Sequence, residues 1–380
     1  MAVGPLEGLR IVEIAGIGPG PFAAMILSDM GADIIRVDRP GSRMTKEVAA
    51  AQILNRGRPS AAVDLKDQRG IDVVLRLVDQ ADGLIEGFRP GVMERLGLGP
   101  DVCLGRNPRL VYGRMTGWGQ EGPLAATAGH DIDYIAVSGA LGAMAREGEA
   151  PLPPLNLVGD FGGGGMVMAF GMMCGVFEAQ RSGTGQVIDV AMVDGASLMM
   201  AMFWGMRDLG AWSDRAGTNV LDSGAHFYNV YETADGRHLA VGAIEPQFYV
   251  LLVQGLGFAV DELAAQNDKS QWPAMKQKFA ARIKEKTLAE WTAIFDGTDA
   301  CVAPVHGFDD ALADAHNRAR QSFVHVDGIA QPAPAPRFSR TVATIARGAD
   351  APGASTDDAL GAWGFSASEI DELRKAGAVA

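Results

Sequence analysis

The stretch LRIVEIAGIGPGPFAAMILSDMGADIIRVD, Leu9–Asp38, decides the fold. Leu9–Gly16 is an apolar run of buried-strand length. PFAAMILSDMG, from Pro21, reads as a helix stopped at Gly31, and Ala32–Asp38 as a second strand. Strand, helix and strand in so short a span make a βαβ unit, the building block of a parallel sheet. The alternation continues outward. SAAVDL (Ser60–Leu65) is a strand, GIDVVLRLVDQA (Gly70–Ala81) a helix, and DGLIEGF (Asp82–Phe88) and LVYGRMTGW (Leu110–Trp118) are further strands. This is an α/β, Rossmann-like pattern. Ligands of such sheets bind beyond the C-terminal strand ends, at a topological switch.

The turn Gly16-Ile17-Gly18-Pro19-Gly20-Pro21 lies where a dinucleotide fingerprint would, and Asp38 has the spacing of its ribose acid. The third glycine falls one place early and Pro21 holds its slot, so the segment reads as a tight strand-to-helix turn. After about Ser213 the character changes. FYNVYETADGRHLAVGAI (Phe227–Ile244) is two alternating runs around Asp235-Gly236, a hairpin signal. Helical patterns follow at Gln247–Gly255, Trp272–Glu285 and Thr287–Phe295, and Cys301–Val305 reads as one more strand. QPAPAPRFSR (Gln331–Arg340) reads as an extended connector. Two capped helices close the chain, Ser355 with Asp358 and Ser366 with Glu369. The expected organisation is a large domain from residues 1–190 and 331–380, a linker over 191–222 and a small α+β domain over 223–330.

The 380 residues carry 33 basic and 46 acidic side chains, a net charge of −13. That argues against nucleic acid or an anionic membrane surface as partner, since both need phosphate neutralisation. Cys103, Cys174 and Cys301 are far apart and form no CxxC, which suggests a reducing, cytoplasmic setting. The N-terminus does not read as a signal peptide, nor AGAVA at the C-terminus as a peroxisomal or prenylation signal. The uncharged stretch Phe161–Phe177 opens with four glycines and is shorter than a membrane span needs, so a buried helix is expected.

Several groups are candidates for chemistry. Arg36, Arg39, Arg43, Lys46, Arg56 and Arg58 form a local basic segment, followed by Arg89 and Arg95, which suits a phosphorylated small ligand. Any one of them alone reads better as solvated surface. His130 opens the helical pattern HDIDYIAVSGALGAM, where an imidazole feels the positive end of the macrodipole. A lone histidine is more often structural. Asp160 precedes FGGGG and an apolar helix; it reads as an N-cap or, beside glycines that admit close approach, as a base or nucleophile. Glu245 stands before Pro246 at another helix start. Nine methionines between Met166 and Met206 suggest core packing or a surface adaptable to acyl chains. The histidines show no HxxxH or HExxH, and no metal site is expected.

FRPGVMERLGLGP (Phe88–Pro100), RMTGWGQEGP (Arg114–Pro123), AGHDIDY (Ala128–Tyr134), PLNLVGDFGGG (Pro154–Gly164), GQVIDVAMVDG (Gly185–Gly195), VGAIEPQFY (Val241–Tyr249) and FDGTDACVAPV (Phe295–Val305) resemble the α-methylacyl-CoA racemases of the family III CoA-transferase (CaiB-BaiF) superfamily. The resemblance implies an interlocked homodimer that epimerises the α-carbon of 2-methylacyl-CoA thioesters. CoA is part of the substrate, and no separate cofactor is implied. It implies His130 and Asp160 as the catalytic pair and Glu245 as the carboxylate partnering the histidine. It further implies CoA contacts at Arg39, Val63, Asp64, Leu65, Lys66, Gly87, Phe88, Arg89, Arg95, Gly129, Asp131 and Tyr134. The sequence departs from the racemases at Leu221–Phe227, LDSGAHF, where Ser223 and His226 are unusual. The alternative within the superfamily is a CoA-transferase with Asp160 as nucleophile. A non-catalytic acyl-CoA carrier would leave His130, Asp160 and Glu245 without a role.

Overall fold

The computed structural model describes residues 4–41, 44–259 and 263–380; Arg43 of the basic segment lies outside them. Two compact units emerge from the Cα packing. The first comprises Met1–Ser138, Leu155–Met199 and Arg318–Ala380, the second Gly139–Pro154 and Met200–Asn317.

The first unit is built on six strands, β1 (Arg10–Ile14), β2 (Asp33–Asp38), β3 (Ser60–Ala62), β4 (Gly83–Glu86), β5 (Val111–Thr116) and β6 (Gln186–Ala191). All pairs are parallel and the order is 3-2-1-4-5-6, so the chain reverses direction across the sheet between β1 and β4. The sequence reading missed β6, whose first residues are partly exposed and lack a continuous apolar run. The central strands are largely apolar because both faces are covered, and the charges they carry, such as Glu13, Arg36 and Glu86, are buried. Side chains alternate across the sheet. Val12, Ile35 and Leu84 join one core with Val74, Leu77 and Trp363, while Ile11, Ile34 and Ile85 join another with Ala24, Leu27 and Met172.

The first helix, Pro19–Asp29, starts with proline at its first position, where a missing N–H costs nothing. Helix Gln68–Val78 is capped by Asp67, and the terminal helix Ala367–Lys375 by a Ser366–Glu369 capping box. Ser355 precedes helix Thr356–Ala362 without capping it; its hydroxyl donates to Asp350 instead, at 2.5 Å. The C-terminal segment covers the edge strand: Asp64 N–H donates to the Ala378 carbonyl, and Val63 bridges Val379.

Three cations of the expected basic patch are interior instead. Arg58 pairs with Glu13 at 2.9 Å, Arg56 with Asp29 at 2.6 Å and Arg36 with Asp38 at 2.9 Å, all buried. Each guanidinium has a buried carboxylate as its partner, so pairing offsets desolvation.

The glycine run winds a wide helical segment, Leu157–Met166, with i→i−5 bonding such as Phe161 N–H to the Asn156 carbonyl at 3.3 Å. It continues directly into helix Val167–Ser182. The combined helix, 26 residues, is longer than the uncharged stretch and apolar enough by length and composition to cross a membrane. Met168, Met172, Val176 and Ala179 nevertheless pack in the sheet's core, which leaves them no lipid-facing role. These methionines fill the space over Gly83 and Gly113, where a Cβ would stand 2.6–2.7 Å from Met172 and Met168 atoms.

In the second unit β7 (Tyr228–Glu232), β8 (His238–Gly242) and β9 (Val302–Pro304) form an antiparallel sheet, with Glu232 opposite His238 across the Asp235-Gly236 turn. Helices Pro246–Gly255, Trp272–Ile283 and Leu288–Phe295 supply its core with Phe227, Leu239 and Trp291. His226 is fully buried in that core among Phe227, Tyr249 and Phe279. Its Nε2 lies 2.9 Å from the Tyr249 hydroxyl.

The chain returns to the first unit at Arg318, before the connector. The strand β10 (Phe323–Val326) pairs with β11 (Ile329–Pro332), so the proline-rich segment begins as a strand. Within the first unit, Arg56 holds that hairpin through Gln331 (2.9 Å) and the Pro332 carbonyl (2.7 Å).

Candidate active site

A cleft of about 290 Å³ opens at the C-terminal ends of β1, β4 and β5, at the switch between β1 and β4. The strand-end loops Gly16–Pro21, Gly87–Pro90 and Gly117–Trp118 form its walls, and His130 and Asp160 both face it. The two residues expected to be catalytic, 30 positions apart in sequence, therefore share one cavity.

His130 precedes helix Asp131–Val137 in extended backbone. Its N–H donates to Asp133 Oδ2 at 2.9 Å, and its carbonyl accepts the Asp133 N–H at 2.9 Å. Tyr134 donates its hydroxyl to the Gly129 carbonyl and packs edge-on against Trp118, ring centroids 4.9 Å apart. This ring wedges between two glycines. A Cβ at Gly117 would stand 2.1 Å from it and one at Gly129 2.7 Å, so neither position admits a side chain. The backbone carrying His130 is thus fixed while its imidazole stays exposed.

Asp160 sits in the first turn of the glycine-rich helix rather than capping it. Its N–H donates to Asp131 Oδ1 at 2.7 Å, and its Oδ2 accepts from Asn156 Nδ2 at 3.1 Å. Burial pushes its carboxyl pKa up, and the Asp131 charge adds to this; the Asn156 bond and His130 act the other way. The four glycines admit neighbouring chain rather than ligand. Gly163 backs onto Ala196 and Gly195, and Gly165 onto Pro19 and Phe22. Gly18 has φ +73°, and a Cβ there would stand 3.4 Å from Asp160 Oδ2, so glycine leaves that carboxyl open to the cleft.

Of the expected CoA-contact positions, Gly87, Phe88, Arg89, Gly129 and Tyr134 line the cleft. Arg39 follows β2, and Val63, Asp64, Leu65 and Lys66 follow β3, along the same edge of the sheet. Val63 is a buried core side chain, and Asp64 Oδ1 accepts the Lys66 N–H at 3.0 Å. Arg39, Lys66, Arg89 and Arg95 are exposed cations without an ion pair among the described residues. Asp131 is buried beneath the cleft and makes the bond to Asp160 described above.

Sequence reasoning missed Glu86 and Asn156. Glu86 ends β4 and is buried; Oε1 accepts from Arg114 at 3.0 Å and Oε2 from the Phe88 N–H at 2.7 Å. It holds the Gly87–Arg89 loop in place, and burial pushes its pKa up. Its signal was an acid inside an otherwise apolar strand, DGLIEGF. Among the methionines, Met192 lines the cleft, whereas Met168 and Met172 belong to the core. Met200, Met202 and Met206 belong to the second unit.

Glu245 also belongs to the second unit, where it precedes helix Pro246–Gly255, exposed and without a side-chain capping bond. Its charge, after burial, contributes to raising the pKa of the Cys301 thiol. Among the described residues no group of three or more His, Cys, Asp or Glu side chains is arranged to hold a metal ion.

The chain is 49% identical over 371 residues to a mouse protein named α-methylacyl-CoA racemase, covering 97% of this chain and 96% of that one. Identity to the human protein of the same name is 47% over 370 residues, with the same coverage. A solved CaiB/BaiF family protein from Brucella suis superposes with a TM-score of 0.81 at 24% identity, covering 95% of this chain and 99% of the other. That likeness speaks to the fold alone. The sequence profile of CoA-transferase family III matches residues 6–357, and the chain belongs to that family.

Proposed function

We propose that this protein is an isomerase that epimerises the α-carbon of 2-methylacyl-CoA thioesters. The observation that carries the reading is that His130 and Asp160 share one cleft, in a chain nearly half identical to two racemases. The α-proton of a thioester is a weak acid, so inversion needs a base on one face, an acid on the other and support for the enolate between. One base takes the α-proton and leaves an enolate; the conjugate acid opposite returns a proton to the same carbon. Burial raises the proton affinity of Asp160 above that of an ordinary carboxyl, which suits it to a proton-carrying role. His130, facing the same cleft, supplies the other base. Backbone N–H groups opening helix Asp131–Val137 are the proposed donors to the enolate oxygen. The thioester itself activates the carbon, and CoA is part of the substrate, so the reading needs no further cofactor.

The exposed cations Arg39, Lys66, Arg89 and Arg95 support a phosphate-bearing ligand along the sheet edge. We further propose a homodimer in which Glu245 partners the imidazole of the other chain. The exposed apolar side chains Phe170, Phe177, Leu198 and Trp204 support a covering partner surface. A cytoplasmic location is proposed from the three unpaired cysteines.

Incubating either epimer of a 2-methylacyl-CoA with the enzyme in D₂O tests the reaction. Deuterium should enter at the α-carbon with the thioester intact, and both epimers should drift to nearly equal amounts. His130→Ala and Asp160→Ala should each abolish racemisation while keeping wash-in from one epimer. Transfer of CoA to an added free acid, without α-exchange, would instead favour a CoA-transferase in which Asp160 is the expected nucleophile.

A further inference from the structure

Asp131 is assigned by resemblance to CoA contact, yet its side chain faces inward. Only 6% of the residue is exposed. One oxygen, Oδ1, accepts the Asp160 N–H at 2.7 Å, and the other, Oδ2, is buried without a partner among the described residues. Gly159 lies directly over this contact, and a Cβ there would stand 2.5 Å from Asp131 Oδ1. Asp131 also directly follows His130 in the chain and opens the helix whose first turn bonds the His130 carbonyl. One peptide link and one hydrogen bond thus separate His130 from Asp160, and Asp131 is the residue that supplies both.

We propose that Asp131 is a positioning residue for the reaction: its buried carboxylate clamps the Asp160 backbone at a fixed distance from His130 and places a negative charge beside the Asp160 carboxyl. The inference rests on His130 and Asp160 being the two bases. A buried anion with an unpaired oxygen is costly to retain. That cost is understandable where the anion's field acts on a neighbouring acid, and raised proton affinity at Asp160 accords with it. The Asp131 side chain is too buried to reach a ligand in the cleft, so any substrate contact at this position falls to its backbone N–H.

Asp131→Asn separates the two effects. The amide oxygen can still accept from Asp160 N–H, and among the described residues Oδ2 makes no hydrogen bond to lose. The variant should lower kcat, but by less than loss of the clamp does, while the pH limb that disappears in Asp160→Asn moves down by about one pH unit. Asp131→Ala removes the clamp and should lower kcat about 100-fold with KM little changed, the typical result of slight misplacement. If the alanine variant folds poorly, Gly159→Ala disturbs the same contact from the other side and should also lower kcat. A rise in KM alone, with an unshifted pH limb, would overturn the proposal in favour of a CoA contact. Wild-type kcat, KM and pH profile in both Asp131 variants would overturn it too. Failure of the underlying reading looks different: Asp160→Asn would then keep wild-type α-exchange.

Discussion

Gly195 lies with its Cα against the carbonyl of Gly163, so close that a Cβ on Gly195 would stand 1.9 Å from that oxygen. The contact joins helix Met192–Met199 to the wide helical segment that carries Asp160 three residues earlier. Backbone meets backbone here, and no side-chain rotation relieves an added methyl. Gly195→Ala should therefore destabilise the fold by about 1–3 kcal/mol, as overpacking does. It should also slow turnover by moving Asp160. Gly361 is the control: it lies in helix Thr356–Ala362 with nothing within 4 Å of its Cβ position. Gly361→Ala should stabilise by about 0.5–1 kcal/mol through helix propensity. Urea midpoints of the two variants, compared with wild type, check both signs.

Why the sequence foretold the sheet but not this contact follows from the ranges involved. β1, β2, β4 and β5 are legible because burial on both faces favours runs dense in β-branched apolar residues, such as the Ile and Val of RIVEI and DIIRVD. β6 was missed because QVIDVA faces partly outward. The four glycines announced a close approach, but nothing local says that Gly195 and Pro19 are what approaches. The basic segment misled for a similar reason. Arg56 and Arg58 find Asp29 and Glu13, 27 and 45 residues away, and such pairing leaves no local signature. His130 and Asp160 were legible as residues, and their sharing a cleft required the sheet's crossover to be known.

The Arg58–Glu13 pair gives a sharper stability test, because both side chains are almost wholly buried. Arg58 Nη1 also donates to the Arg56 carbonyl at 2.7 Å and Nη2 to the Pro21 carbonyl at 3.2 Å. Glu13→Ala should cost about 3–5 kcal/mol, since it strands a buried guanidinium. A double replacement by apolar residues of similar volume should recover much of that loss. A double-mutant cycle from chemical denaturation measures it. Equal stability of Glu13→Ala and wild type would show that the pair is not held in solution as described.

His226 makes the fold acid-sensitive within a defined window. Burial lowers its pKa from the ordinary 6.5 to about 4. Between those values the unfolded chain binds a proton that the folded chain refuses. Stability is therefore fully present above pH 6.5, falls as pH drops toward 4 and levels off below. At about 1.4 kcal/mol per unit, the contribution is on the order of 3 kcal/mol. His226→Gln is neutral throughout and can still reach the Tyr249 hydroxyl. The variant should lose less stability than wild type between pH 7 and 4.5, read from urea midpoints at each pH. An identical slope in the two proteins would place the acid sensitivity elsewhere.

The last prediction concerns Glu245, which belongs to the second unit while His130 and Asp160 belong to the first. On the proposed dimer, the carboxylate of one chain holds the imidazole of the other, fixing its tautomer and favouring its protonated form during turnover. His130→Ala and Glu245→Ala should each impair the homodimer. In a heterodimer of one His130→Ala chain and one Glu245→Ala chain, one active site inherits both defects and the other neither. About half of wild-type activity should then return, because one of two sites is intact. If Glu245 served its own chain, every site would carry one defect and the heterodimer would be no more active than its parents. Differently tagged chains, co-expressed and purified through both tags, allow the comparison. Size-exclusion chromatography at the assay concentration confirms that the measured species is the two-chain assembly.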